Sequence, residues 1–166
     1  MIIVIFGLAA SGKTYIGKIL SKNFNFHYED ADQWLSEEMH LFIEKRKIFS
    51  LKMLEDFTKI IIANIEKLSK IYPNLIISQA LYRQKNREQI QQYFLSEPIN
   101  FIQITANNQT INQRLLERGD WVNSNYANDI HKFFEPMPNV QVIENNNYGE
   151  KSIIKQFENI LKNIRE

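Results

Sequence analysis

The chain has 166 residues, 44% hydrophobic and 23% charged, the balance of a soluble globular protein with a sizeable core. Its formal net charge of +1 leaves no global basic field for nucleic acid and no acidic excess pointing to disorder. With no cysteines, a disulfide framework and a Cys-based zinc site are both excluded.

The chain opens on "IIVIF" (Ile2 to Phe6), a β-branched and aromatic run ending at a glycine, the pattern of a buried parallel strand. The segment "MIIVIFGLAASGKT" lacks the basic start of a leader peptide, and its apolar run breaks at Ser11, Gly12 and Lys13. Ile16, Ile19 and Leu20 then mark a short amphipathic helix ending near Asn23. "FNFHY" reads as strand two, followed by a helix from about Gln33 to His40. A long helix is expected from Ser50 to Tyr72, stopped by Pro73. "NLIIS" is strand three and Arg83 to Phe94 a polar-faced helix. "INFIQI" is strand four, and Thr110 to Arg118 a further helix. Gly119 to Tyr126 carries little periodicity and reads as a loop, "VQVI" as strand five, and Lys151 to Ile164 as a terminal helix. Strands alternating with helices predict a single α/β domain over residues 1–166 with a five-stranded parallel sheet and right-handed crossovers.

One motif stands out. "GLAASGKT", Gly7 to Thr14, matches G-x-x-x-x-G-K-[ST] between a buried strand and an amphipathic helix. Glycines at the two fixed positions let backbone approach an anion closely. The loop amides sit at the positive end of the following helix. Lys13 supplies a cation for the outer phosphates, and Thr14 a hydroxyl for Mg²⁺. The expected ATP contacts are Gly7, Ala9, Ala10, Ser11, Gly12, Lys13, Thr14 and Tyr15.

"YEDADQW" follows strand two, so it opens onto the sheet edge that carries the phosphate loop, provided strands one and two are near neighbours. Residues two apart on an extended chain point the same way, which turns Asp30 and Asp32 toward one ligand. One carboxylate then serves the Mg²⁺ shell and the other accepts a proton from an attacking hydroxyl. The same pair also suits the N-cap of the next helix, and the two roles are compatible.

These segments resemble the small P-loop metabolite kinases of the gluconate kinase and shikimate kinase group. "GLAASGKTYIGKIL" resembles their opening loop and helix, and "YEDADQW" their D-x-D or D-G-D-D segment. "IISQALYRQKNREQI" is similar to the gluconate-type segment after strand three, and "FIQITANNQTINQRLLERGDW" with "FFEP" to strand four, the R-L-x-x-R helix and the end of the lid. The resemblance implies a three-layer fold like that of nucleoside monophosphate kinases, with a short lid at about 119–134. It also implies ATP and Mg²⁺ as cofactors, Asp30 on the Mg²⁺ side, and Asp32 as the base-like carboxylate. Gluconate is the first acceptor it implies, shikimate the second. Other phosphotransferases of this fold, nucleoside kinases among them, and a nucleotide-binding module without transferase activity stay open. The gluconate-type histidine after the aspartates is absent, with "QWL" in its place, and the shikimate-type glycine run is replaced by "SQAL".

Arg114 and Arg118 share one helix face before the lid-like loop, where similar kinases close arginines over the transferring phosphoryl group. A solvated helix face is the competing reading. Lys13, Asp32 and Arg118 form the expected catalytic set. Arg83 and Arg87, also four apart, suit either an anionic acceptor or a plain surface helix. Gln79 and Trp34 complete the candidate acceptor site, and Trp121 is placed to cover the nucleotide. His27, His40 and His131 have no ligand-like spacing and read as structural or exposed. A small-molecule acceptor is the expected partner, with no nucleic acid and no membrane. A monomer or homodimer in the cytoplasm is expected.

Overall fold

A computed structural model describes residues 1–118 and 124–165 of the chain. The elements run β1 (Ile2–Phe6), α1 (Lys13–Phe24), β2 (His27–Asp30), a 3-10 turn (Ala31–Trp34), α2 (Glu37–Glu44), α3 (Leu51–Ser69) and β3 (Leu75–Gln79). They continue with α4 (Gln84–Tyr93), β4 (Ile99–Thr105), α5 (Asn108–Arg118), α6 (Ser124–His131), β5 (Gln141–Glu144) and α7 (Glu150–Arg165).

The strands form one five-stranded parallel sheet in the order β2-β3-β1-β4-β5. Alternation along β1 builds both layers of the core. Ile2, Val4 and Phe6 join Ile77 of β3, Phe57, Ile61 and Ile65 of α3, and Ile90 of α4 on one face. Ile3 and Ile5 join Ile76 and Ile102, with Ile16 and Leu20 of α1 and Phe157 of α7, on the other. Burial of β1 on both faces explains its unbroken apolar run. No helix among the described residues is long and apolar enough to cross a membrane.

Four sequence expectations shift. First, β1 and β2 are not neighbours, because β3 lies between them. The aspartates still reach the phosphate loop because α1 starts at Lys13 and packs across both β3 and β2. Second, strand two begins at His27 rather than Phe24. Asn25, with φ 58°, closes α1 in the left-handed region and holds Phe24 in the helix. Third, the helix expected from Gln33 begins four residues later. Residues 31–34 wind into the 3-10 turn, and Ser36 caps α2 by accepting from the Met39 amide at 3.2 Å. The loop expected over Gly119 to Tyr126 gives way to helix at Ser124.

Candidate active site

The phosphate loop is held open from behind. Gly12 has φ 95°, and a Cβ there would collide with the Asn145 amide; one at Gly7 would collide with the Ile104 carbonyl. Asn145, buried after β5, donates from Nδ2 to the Ser11 carbonyl at 2.9 Å. Lys13 lies inside the loop and donates to the carbonyls of Gly7 at 3.0 Å and Leu8 at 2.9 Å. Burial lowers its pKa to about 8. The Asp32 and Asp30 carboxylates oppose that shift, and the Arg118 charge adds to it.

Thr14, in the first turn of α1, donates from Oγ1 to Asp30 Oδ2 at 2.8 Å. Asp30 is the last residue of β2, and its Oδ1 accepts from the Asp32 amide at 3.1 Å. It is therefore both an N-cap and a partner of the phosphate-loop threonine, so the two readings of the acidic pair coincide. The pair is not extended: the 3-10 turn, rather than strand alternation, brings Asp32 to the same cavity. Tyr28 sits behind Asp30, its hydroxyl 2.8 Å from Ser78 Oγ, and burial pushes it up to about 12. Its ring lies where a Cβ at position 17 would be, which makes Gly17 part of the site's foundation.

Gln79, at the end of β3, donates from Nε2 to Asp32 Oδ1 at 2.7 Å, while its Oε1 accepts from the Ala80 amide. Asp32 is exposed where it opens onto the cavity, while the protein packed around its carboxyl still partly buries it. That burial raises its carboxyl pKa, and the Asp30 charge raises it further; Lys13, the Gln79 bond and His40 oppose the rise.

These residues share a cavity of about 490 Å³ at the C-terminal edge of the sheet. From the phosphate loop, Ala9, Ala10, Gly12, Lys13 and Thr14 line it; from the opposite rim, Asp30, Asp32, Gln79 and Arg118 do so. Gly7 and Ser11 are buried behind the loop, and the Tyr15 side chain is about half exposed (51%). Leu35, Met39, His40 and Ile43 enter from the α2 side, Phe49, Leu54, Phe57 and Thr58 from the α3 side, and Tyr126, Ala127 and Ile130 from α6.

Several candidates are placed otherwise than the sequence led us to expect. Arg87 does not line this cavity. It is a buried brace, donating to the carbonyls of Leu81 and Glu135 at 2.6 Å and Pro136 at 3.2 Å, with its guanidinium over the Phe6 ring. Arg83 does reach the cavity, but its Nη1 pairs with Glu135 at 3.0 Å. Trp34 is turned by the 3-10 turn against the core, and Leu35 takes its place in the wall. Arg114 donates to the carbonyls of Ala10, Ser11 and Asn145 and to Asn147 Oδ1, at 2.7–3.2 Å, so it clasps the phosphate loop to the β5 turn. Arg118, four residues on, faces the cavity with no hydrogen bond or ion pair among the described residues. Trp121 and residues 119–123 of the expected lid lie outside the described residues.

Sequence reasoning passed over other contributors. His40 was assigned no role, yet it lines the cavity and acts on Asp32. His131 borders the phosphate loop through the Ala9 backbone, and burial lowers its pKa. Glu135 fastens the root of the expected lid. Its backbone amide donates to the Tyr82 carbonyl at 2.8 Å, and its Oε2 accepts from the Gln84 amide at 2.6 Å. The "FFEP" segment held that signal.

Residues 3–131 match the AAA domain family AAA_18. Across 99% of its length the chain is 25% identical to a Dictyostelium discoideum protein described as a probable gluconokinase, of which 84% is covered. Among solved structures, a sugar kinase from Janibacter sp. HTCC2649 superposes with a TM-score of 0.81 at 15% identity, covering 96% of this chain and 93% of that one. A gluconokinase from Sinorhizobium meliloti 1021 gives 0.80 at 13% identity, covering 99% and 95%. Both likenesses are in fold.

Proposed function

The chain belongs to the AAA_18 family of AAA domains, and from that premise we propose that it is a small P-loop kinase that transfers the γ-phosphoryl group of ATP to a hydroxyl of a small metabolite. The observation that carries the proposal is the convergence of Lys13, Thr14, Asp30, Asp32 and Arg118 on one cavity, with Asp32 held by Gln79 at 2.7 Å.

Lys13 and the loop amides bind the phosphates. Thr14 and Asp30 offer a hydroxyl and a carboxylate 2.8 Å apart, hard oxygen donors of the kind Mg²⁺ takes. Among the described residues no cluster of three acidic or histidine side chains forms a self-contained cage. Bound at Thr14 and Asp30, Mg²⁺ would neutralise phosphate charge.

Asp32 orients the acceptor hydroxyl and takes its proton, a task helped by a carboxyl raised above its ordinary value. Arg118 meets the charge spread over the transferring oxygens. The sequence resemblance and the names of the relatives make gluconate or a related sugar acid the reference acceptor, with shikimate second.

A coupled ADP-release assay with MgATP across sugar acids, shikimate and nucleosides tests the proposal. Acceptor-dependent ADP release from at least one of them is expected. Tight ATP binding with no turnover on any acceptor would instead favour a nucleotide-binding module.

A further inference from the structure

We infer that Tyr82 is the specificity-determining residue of this cavity, its hydroxyl and the Nε of Arg83 holding a carboxylate at the end of the acceptor away from the reacting hydroxyl. The inference rests on the kinase reading above and names the side chains that choose the acceptor. No motif or spacing marks Tyr82 among the residues of "SQALYRQKNR".

Tyr82 lines the cavity and is only 6% exposed. Its hydroxyl is buried in the wall and takes no hydrogen bond among the described residues. Arg83, the next residue, lines the same cavity, and its Nε is buried and equally without a partner. A buried O–H or N–H left unpaired costs stability, so a fold rarely keeps two on consecutive residues. A ligand that supplies the acceptor atoms removes that cost.

The pair is also held in place. The Gly7 amide donates to the Ala80 carbonyl at 3.4 Å, and the Glu135 amide to the Tyr82 carbonyl at 2.8 Å. Leu81, between them, has φ 41°, a left-handed conformation that a leucine keeps only where its surroundings impose it. The backbone of Tyr82 is thus fixed while its hydroxyl is left without a protein partner. Such preorganisation lowers the cost of ordering a binding group when the ligand arrives.

The chemistry of the two atoms selects the ligand. Both are donors. Burial pushes the Tyr82 phenol up to about 12, with Arg83 opposing the rise and Tyr126 adding to it, so the proton stays on at neutral pH. A carboxylate accepts from both, and the guanidinium charge strengthens the bonds. Nη1 of Arg83 pairs with Glu135 at 3.0 Å, but that carboxylate side chain is 41% exposed, so solvent weakens its claim on the cation.

The reach fits one small molecule. Gln79, which holds Asp32 at 2.7 Å, stands three positions before Tyr82. Their Cα atoms are therefore at most about 11 Å apart.

The test uses the full chain with saturating MgATP and two matched pairs of acceptors, gluconate with sorbitol and shikimate with methyl shikimate. The members of each pair differ at the carboxylate. ADP release gives kcat/KM, and calorimetry with a non-hydrolysable ATP analogue gives binding independently of turnover. In the wild type at least one acid should exceed its neutral counterpart by about tenfold or more. Tyr82→Phe should weaken use and binding of that acid by about 10–100-fold and narrow its lead. Because the hydroxyl it removes has no partner among the described residues, the variant should melt at the same temperature or higher. Arg83→Lys keeps a cation for Glu135 but has no Nε–H, and should narrow the lead as well. A lead for the neutral members, an unchanged lead in Tyr82→Phe, or a lower melting temperature for that variant overturns the inference, and ADP release in the same assay leaves the kinase reading intact. If nothing is turned over but an acid binds the wild type and binds Tyr82→Phe weakly, the inference stands and the kinase reading falls. If neither acid binds, the inference falls.

Discussion

Gln79 at the end of β3 holds Asp32 across the cavity floor, donating from Nε2 to Oδ1 at 2.7 Å. The bond fixes the carboxylate proposed to act on the acceptor and lowers its raised pKa at the same time. Removing it should therefore act on both position and titration.

In Gln79→Leu the Asp32 carboxyl loses a partner of its charged form, so its pKa rises further. The expected result is about a tenfold loss of kcat with the acidic limb of the pH–rate profile displaced to higher pH. A purely structural role for Gln79 would lower activity without moving that limb. Steady-state profiles of the wild type and the variant separate the two.

Arg114 and Arg118 lie one helical turn apart and should fail in different ways. Arg114→Ala leaves the carbonyls of Ala10, Ser11 and Asn145 without their donor and should cost about 1.5–3 kcal/mol of stability. Arg118→Ala breaks no bond among the described residues. It should leave Tm unchanged and lower kcat by about 10²-fold or more. Thermal melts alongside kinetics check the contrast.

Arg87→Met tests the reassignment of a candidate substrate contact to a brace. Loss of its bonds to Leu81, Glu135 and Pro136 should destabilise the chain by about 2–4 kcal/mol. Below its lowered Tm the variant should keep a near-normal KM for the acceptor. Urea denaturation and acceptor titration measure the two effects separately.

Lys13 couples nucleotide binding to pH. Its pKa is lowered to about 8 by burial, and phosphate anions stabilise its charged form. Above that value the free protein has lost the proton, which ATP binding must then restore. ATP affinity should therefore fall as the pH rises above about 8, with proton uptake visible as a buffer-dependent calorimetric enthalpy. Lys13→Ala should bind weakly and lose that slope.

Much of this site is written in local pattern. The phosphate loop needs only a strand, fixed glycines and a helix, all contiguous from Ile2 to Leu20. What escaped depends on contacts between distant segments. Insertion of β3 between β1 and β2 is a pairing choice that no strand encodes alone. Spacing placed Arg83 with Arg87 and Arg114 with Arg118. Yet which member of each pair meets carbonyls and which meets the cavity is decided by Glu135 and Asn145 from far along the chain. His40 was missed as well. It has no ligand-like spacing, and only the folding of α2 against the cavity brings it near Asp32. The apolar part of the cavity wall was hidden because Met39, Ile43, Leu54 and Phe57 carry ordinary helical spacing, which reads as core.

The central claim is that Asp32 acts on the acceptor hydroxyl, and Asp32→Asn tests it most directly. Because the folded carboxyl pKa is raised, ionised Asp32 works against folding at neutral pH, so the variant should melt at the same temperature or higher. ATP affinity should change little. With saturating MgATP and the best acceptor found, we predict that kcat falls by about 10²–10⁴-fold. A near-normal kcat in this stably folded, ATP-binding variant would contradict the account.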